Sequence, residues 1–193
     1  SGTVSASDAN TIADATTGKV TATVTADTAA NLVDALDNAA ATDALTLTVD
    51  ATVAAAASDL ILLDGKTSVD VIVNATTVEG TFAELNKVYV ANKANFAAED
   101  STDATISGTI KASEADAIAD ATSGVVTATI AAGNANVLNT ALADSGTQVN
   151  AYKITVSGDN ATANDLLGLD SETSVAVDAK AVKELSGDVA DLK

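Results

Sequence analysis

A chain that repeats its own sequence at a fixed offset folds as neighbouring copies of one unit, each burying its apolar face against the next. This chain does so at 106 residues. Ser1-Gly2-Thr3-Val4 returns as Ser107-Gly108-Thr109-Ile110, and Ile12-Ala13-Asp14-Ala15-Thr16 returns as Ile118-Ala119-Asp120-Ala121-Thr122. Val20-Thr21-Ala22-Thr23-Val24 becomes Val126-Thr127-Ala128-Thr129-Ile130, and Thr67-Ser68-Val69 becomes Thr173-Ser174-Val175. With the offset slipped to 107, Val78-Glu79-Gly80 meets Leu185-Ser186-Gly187, and Glu84-Leu85 meets Asp191-Leu192. The reading is one large repeat over residues 1–106 and a second, incomplete one over 107–193, forming one continuous array.

Within each repeat two hydrophobic periods alternate. Val20 to Val24, Leu45 to Val49, Val69 to Val73, Val126 to Ile130 and Ile154 to Val156 alternate strictly and predict strands. Between them, Ala9/Ile12/Ala13, Leu32/Ala35/Leu36, Leu60/Leu63, Leu85/Val88/Tyr89, Ala115/Ile118/Ala119 and Val137/Leu138/Ala141/Leu142 have helical spacing. Ser7, Ser113 and Asp27 stand where N-caps are expected, and Thr81-Phe82-Ala83-Glu84 has capping-box spacing. Gly18, Gly65 and Gly124 follow helical segments and suit left-handed C-caps. Thr76 to Val78 begins too soon after Val69 for a helical crossover and reads as a second short strand or bend.

Strand–helix units of about 16 to 26 residues fit an open α/β solenoid or a doubly wound domain. One strand face carries Val, Ile, Leu and Ala while the other carries Thr, Lys, Asp or Asn, whereas a doubly wound sheet is apolar on both faces. The expected fold is therefore an α/β solenoid, its parallel sheet exposing a Thr-rich face and its short helices forming the other layer.

Composition then removes most chemistry. The 193 residues contain no His, Cys, Met, Trp or Pro, and all nine basic residues are Lys. Thiol, zinc and imidazole chemistry are thereby excluded. A net charge of −18 without arginine disfavours phosphate backbones and anionic membranes. No apolar run reaches the length of a membrane helix. With 43 Ala and 27 Thr, the units pack a thin core of Val, Leu and Ile. A carboxylate pair for glycoside hydrolysis lacks the aromatic platforms that sugar clefts use, since only Tyr89, Tyr152, Phe82 and Phe96 exist. No catalytic residue and no cofactor is expected. The absence of an initiator Met and of a leader suggests a mature form or an excised piece.

Three surface features remain. Asp50, Asp59, Asp64, Asp165 and Asp170 match no calcium-loop spacing, so calcium binding is expected to be weak or incidental. Asn74-Ala75-Thr76 and Asn160-Ala161-Thr162 match the glycosylation sequon at a frequency close to chance. Thr21/Thr23, Thr46/Thr48 and Thr127/Thr129 place threonine pairs on one strand face, a pattern reminiscent of ice-binding solenoids. Threonine is also the default polar residue of a solvated sheet. Asp70/Ile72, Lys153/Thr155 and Ala176/Asp178 interrupt the array.

The Ser-Gly-Thr, Ile-Ala-Asp-Ala-Thr, Val-Thr-Ala-Thr-Val and Ser-Asp-Leu-x-x-Leu-Asp-Gly-Lys-Thr (58–67) segments resemble the Ala/Thr/Asp-rich tandem repeats of very large secreted or cell-surface proteins of cyanobacteria. The resemblance implies an extracellular structural array and transfers no catalytic residue. The expected function is a rod, filament or surface-layer building block. The alternative is a binding module that uses the Thr face for polysaccharide or ice. Its expected partners are adjacent repeats or further copies, joined head to tail through end residues such as Val4, Leu185, Val189 and Leu192.

Overall fold

The computed structural model describes residues 2–50, 52–143 and 148–188, and the chain divides into two compact units, Ser1–Thr102 and Asp103–Lys193. Both are α/β, with parallel strand pairing throughout and seven α-helices among the described residues.

The first unit runs α1 (Ala6–Ala15), β1 (Thr21–Thr23), α2 (Ala29–Ala35), β2 (Ala44–Thr46), β3 (Thr48–Val49), β4 (Ala55–Ala56), α3 (Ala57–Asp64), β5 (Val71–Val73), β6 (Thr77–Gly80), α4 (Phe82–Asn86) and β7 (Phe96–Ala97). Helix α4 continues into a wider π-type turn, Lys87–Ala91, closed by the Asn92 amide donating to the Lys87 carbonyl at 2.8 Å. The second unit runs β8 (Asp103–Ile110), α5 (Ala112–Ala119), β9 (Val126–Ile130), α6 (Ala135–Leu142), β10 (Ala151–Lys153), β11 (Asn160–Thr162), α7 (Ala163–Ser171) and β12 (Glu184–Ser186).

The strand pairs join segments 20 to 25 residues apart in the chain, in parallel. Thr21 lies opposite Ala44, Thr48 opposite Ile72, Ala55 opposite Val78 and Val71 opposite Phe96. In the second unit Ala104 lies opposite Val126, Thr127 opposite Ala151 and Asn160 opposite Glu184. Helices follow the same order, α1 on α2 on α3 on α4 in one unit and α5 on α6 on α7 in the other. The interior is thin and aliphatic, as small residues require. Leu32, Leu36, Leu45, Leu47, Leu60, Leu63 and Leu85 are fully buried in the first unit, as are Ile118, Leu142, Ile154 and Leu169 in the second. Each such side chain contributes roughly 1.5–3 kcal/mol on burial.

The strands over Thr21–Thr23, Val71–Val73 and Val126–Ile130 lie where alternation placed them, and Thr77–Gly80 is indeed a second short strand. Leu45 to Val49 is not one strand. It breaks at Leu47 into β2, which pairs with β1, and β3, which pairs with β5. Ile154 to Val156 makes only isolated bridges, because pairing is spent on Ala151–Lys153 just before it.

Helix punctuation needs correction. Helix α1 starts before Ser7, since Ser5 Oγ accepts the Asp8 amide at 3.1 Å. Thr28 caps α2, and Asp27 supports it from outside by accepting the Thr28 amide at 2.7 Å and the Asn31 side-chain amide at 2.8 Å. Ser113 lies inside α5, whose cap position is Lys111 with its amide donating to Glu114 Oε2 at 2.9 Å. The capping box at Thr81 and Glu84 is present. None of Gly18, Gly65 and Gly124 is left-handed. Gly65 is right-handed helical at φ −70°, and the Gly18 and Gly124 amides each donate to a threonine hydroxyl two residues back, Thr16 and Thr122, at 3.0 Å. The left-handed glycine is Gly108, at φ 82°, where β8 carries two more residues than β9 between the Thr105–Thr127 and Thr109–Thr129 pairs.

Candidate interaction surface

Alternation gives the strands one buried and one open face. Leu45, Leu47 and Val49 are buried while Thr46 and Thr48 between them are half-buried. Likewise Val126, Ala128 and Ile130 are buried, Thr127 is exposed and Thr129 is half-buried. Thr21 and Thr23 are exposed. Parallel registry brings Thr23 beside Thr46. It also aligns Thr127 and Thr129 with Thr105 and Thr109 of β8, which sequence spacing alone did not single out because the bulge shifts their phase. No row extends far. Thr21 and Thr127 face Ala44 and Ala151, Thr129 faces Lys153, Thr48 faces Ile72, and Thr155 bridges to Asp178. In each unit the open face carries two-residue threonine steps, bounded by alanine and isoleucine in the first and by alanine, lysine and aspartate in the second.

A polar device recurs in both units. Val20 N–H donates to Asp43 Oδ1 at 2.8 Å, and Val126 N–H donates to Asn150 Oδ1 at 2.9 Å. Thr67 Oγ1 accepts from the Leu45 amide at 3.1 Å and donates to the Leu45 carbonyl at 2.7 Å. Thr173 Oγ1 does the same to Tyr152, at 2.9 and 2.8 Å. Ser68 Oγ donates to the Asp43 carbonyl at 2.7 Å, and Ser174 Oγ to the Asn150 carbonyl at 3.2 Å. A threonine hydroxyl thus replaces one ladder link, with Asp43, Thr67, Asn150 and Thr173 all buried. The signal was in the sequence as Thr-Ser-Val at 67–69 and 173–175, but repetition alone did not reveal the bonding.

The end residues differ in setting. Val4 is half-buried and bridged to Val24, its amide donating to the Thr23 carbonyl at 2.9 Å. Leu185 sits in β12 and is 50% exposed. Val189 and Leu192 lie outside the described residues.

Three of the five candidate acids hold hydrogen bonds within the fold. Asp50 Oδ1 accepts the Thr52 amide at 3.0 Å, Asp64 Oδ2 accepts from Asn95 at 3.2 Å, and Asp165 bonds the Thr162 hydroxyl at 2.7 Å. Among the described residues no three acidic groups gather as a metal site, and no helix is long and apolar enough to cross a membrane. Asn74 and Asn160 of the two sequons are exposed.

Two glutamates are perturbed in opposite directions. Hydrogen bonds from the Thr81 amide and hydroxyl, with Lys87 nearby, hold Glu84 below the usual carboxylate value. Burial pushes Glu99 up, aided by the Asp100 and Asp70 charges and opposed by its own amide and by Lys93. No protein-family model, no curated protein and no solved structure matches the chain.

Proposed function

We propose that this chain is a structural repeat module of an extracellular or cell-surface assembly, each unit an open α/β solenoid and its partners further repeats or copies of itself. The observation that carries this is the pairing interval. Strand partners lie between 20 residues apart (Val4 and Val24) and 25 apart (Val71 and Phe96), always in parallel. Each circuit therefore buries its apolar face against the circuits beside it, which is how stacked arrays gain stability and length together. The exposed β12 edge with Leu185 is the candidate surface for end-to-end contact. Function then lies in length, stiffness and acidic surface, without catalysis.

The test is small-angle scattering on chains of one, two and three tandem copies. A rod-forming module lengthens linearly at constant cross-section. Independent globules joined flexibly would sink the reading.

The Thr23–Thr46, Thr105–Thr127 and Thr109–Thr129 pairs support a second reading, a binding module for polysaccharide or ice. Glycan arrays and ice-recrystallisation assays separate it from the first. A Thr23→Lys, Thr127→Lys variant that abolished either activity would favour it.

A further inference from the structure

The backbone of the first unit is least regular in its closing segment, residues 87–102. The π turn Lys87–Ala91 is followed by two 3-10 turns, Lys93–Asn95 and Glu99–Ser101. Between those turns Ala98 holds φ 69°, and among the described residues no other non-glycine residue has a positive φ. That region is strained for a residue with a Cβ, and such a conformation persists only while its surroundings hold it.

The same segment buries an acid with little to hold its charge. Among the described residues three acids are buried, Asp43, Glu99 and Asp165. Asp43 accepts the Val20 and Ala40 amides at 2.8 and 3.0 Å, and Asp165 accepts the Thr162 hydroxyl at 2.7 Å. Glu99, 3% exposed, takes a hydrogen bond from its own amide. That is a poor exchange for the water it has lost, so the carboxyl favours its proton. The charges around it do not reverse the preference. Asp100 in the same turn and Asp70 just before β5 add repulsion, while Lys93 of the preceding turn opposes it. The π turn packs against Glu99–Ser101 and brings two more ionisable residues. Lys87 is exposed and acts on Glu84, and Tyr89 is fully buried.

Short-range bonds keep the turn shut. The Thr102 amide donates to the Glu99 carbonyl at 3.0 Å, and the Thr102 hydroxyl donates to the same carbonyl at 2.7 Å. That hydroxyl also lies 2.5 Å from the Tyr89 hydroxyl. Ala98, Asp100 and Ser101 are exposed. Opening the turn therefore moves chain that is already at the surface, returns the Glu99 carboxylate to water and relieves Ala98.

We propose that residues 98–102 form a proton-operated latch: with Glu99 protonated the turn stays closed on Tyr89, and ionisation of Glu99 shifts it toward an open form. The direction follows from linkage. The closed turn binds the Glu99 proton more tightly than the open one, because burial raises the carboxyl above its ordinary value. Closure is strongest below the ordinary glutamate value, weakens as pH rises toward the raised one and is constant beyond it.

The test is site-resolved amide hydrogen exchange on the full chain between about pH 4 and pH 8, corrected for the intrinsic rate and read at the Thr102 amide. Protection there should fall at least about threefold across that range and level off at its upper end. Linkage fixes the factor as the ratio of the proton affinities of the closed and open turns. The Glu99 carboxyl signal in NMR should therefore titrate above an ordinary glutamate by the logarithm of the same factor. Glu99→Gln keeps the shape of the side chain without its charge and should leave Thr102 protected equally at every pH. Protection of Thr102 that is flat with pH in the parent chain, or that falls as much in Glu99→Gln, would overturn the proposal. An equal loss at the Leu63 and Leu85 amides would overturn it too, because the pH effect would then be unfolding of the whole unit.

Discussion

The bonding device around Thr67 and the one around Thr173 place the same atoms at nearly the same distances with different residues. Asp43 stands where the second repeat has Asn150, and Leu45 where it has Tyr152. Asp43 is an acceptor for two backbone amides, Val20 at 2.8 Å and Ala40 at 3.0 Å. Asn150 accepts from Val126 at 2.9 Å and is 0% exposed. What the repeat keeps is an acceptor at the head of a strand and a hydroxyl bridging the next. The identity of the side chains changes while every one of them stays buried, Asp43 at 5% exposure and Asn150 at 0%.

The hydroxyl is the part both copies share, so removing it offers the largest effect. Thr67→Val leaves the Leu45 amide, the Leu45 carbonyl and the Val69 amide without their partner, and Thr173→Val does the same to Tyr152 and Val175. Each stranded buried group costs about 1–3 kcal/mol, so losses of about 3 kcal/mol are expected at both sites. Urea unfolding measures them. A twofold or greater inequality would break the equivalence of the two devices.

The acceptor is where they diverge. Asn150→Asp places a carboxylate in a fully buried position and should cost about 2–4 kcal/mol. Asp43→Asn turns one acceptor toward donor chemistry opposite the Ala40 amide and should cost less, about 1–2 kcal/mol. Equal costs would show that the two acceptor positions tolerate the exchange alike.

Next in size are the two left-handed positions. Ala98 holds φ 69° and Gly108 φ 82°. Ala98→Gly relieves the strain of a Cβ in that region and should stabilise by about 0.5–1 kcal/mol. Gly108→Ala has open space around the new methyl, so its cost, about 1 kcal/mol, is conformational alone. Opposite signs in the same denaturation assay are the expected outcome.

These sites also mark how far the sequence could be read. Period-two and period-3.6 spacing located β1, β5, β9 and helices α1 to α6, because burial of Leu, Val and Ile imposes those periods directly. The Ser7, Ser113 and Gly65 assignments failed because a cap depends on which amide is left over. In α5 that is decided by Glu114 reaching back to Lys111, two residues before the serine. The break at Leu47 was hidden for a related reason: alternation runs unbroken through Leu45 to Val49 while the pairing partner changes. Of the candidate surface, the interruptions by Ile72, Lys153 and Asp178 were legible. The Thr105 and Thr109 rows were not, because a two-residue bulge is invisible to a spacing rule.

The smallest effects compare Glu84 with Glu99, whose carboxyls are displaced in opposite directions. Glu99 is only 3% exposed and holds its proton more tightly in the folded chain than in the unfolded one, chiefly because burial disfavours the anion. Its folded state therefore binds more protons over the window from the ordinary glutamate value up to the raised one. Stability falls as pH rises through that window and is then flat. Glu99→Gln should stabilise the protein at neutral pH, with the gain shrinking to nothing in acid below the ordinary glutamate value. Glu84 works the other way. Its depressed value means that its contribution is present above the ordinary glutamate value and is lost as pH falls through the folded one. Thr81→Ala, which removes the hydroxyl half of the capping box, should cost about 1 kcal/mol at neutral pH and less in acid, where Glu84 is protonated. Melting curves for both variants between about pH 3 and pH 7 test the pair together. A Glu99→Gln gain that persists undiminished in acid would mean that packing, and not the proton, distinguishes the glutamine from the glutamate.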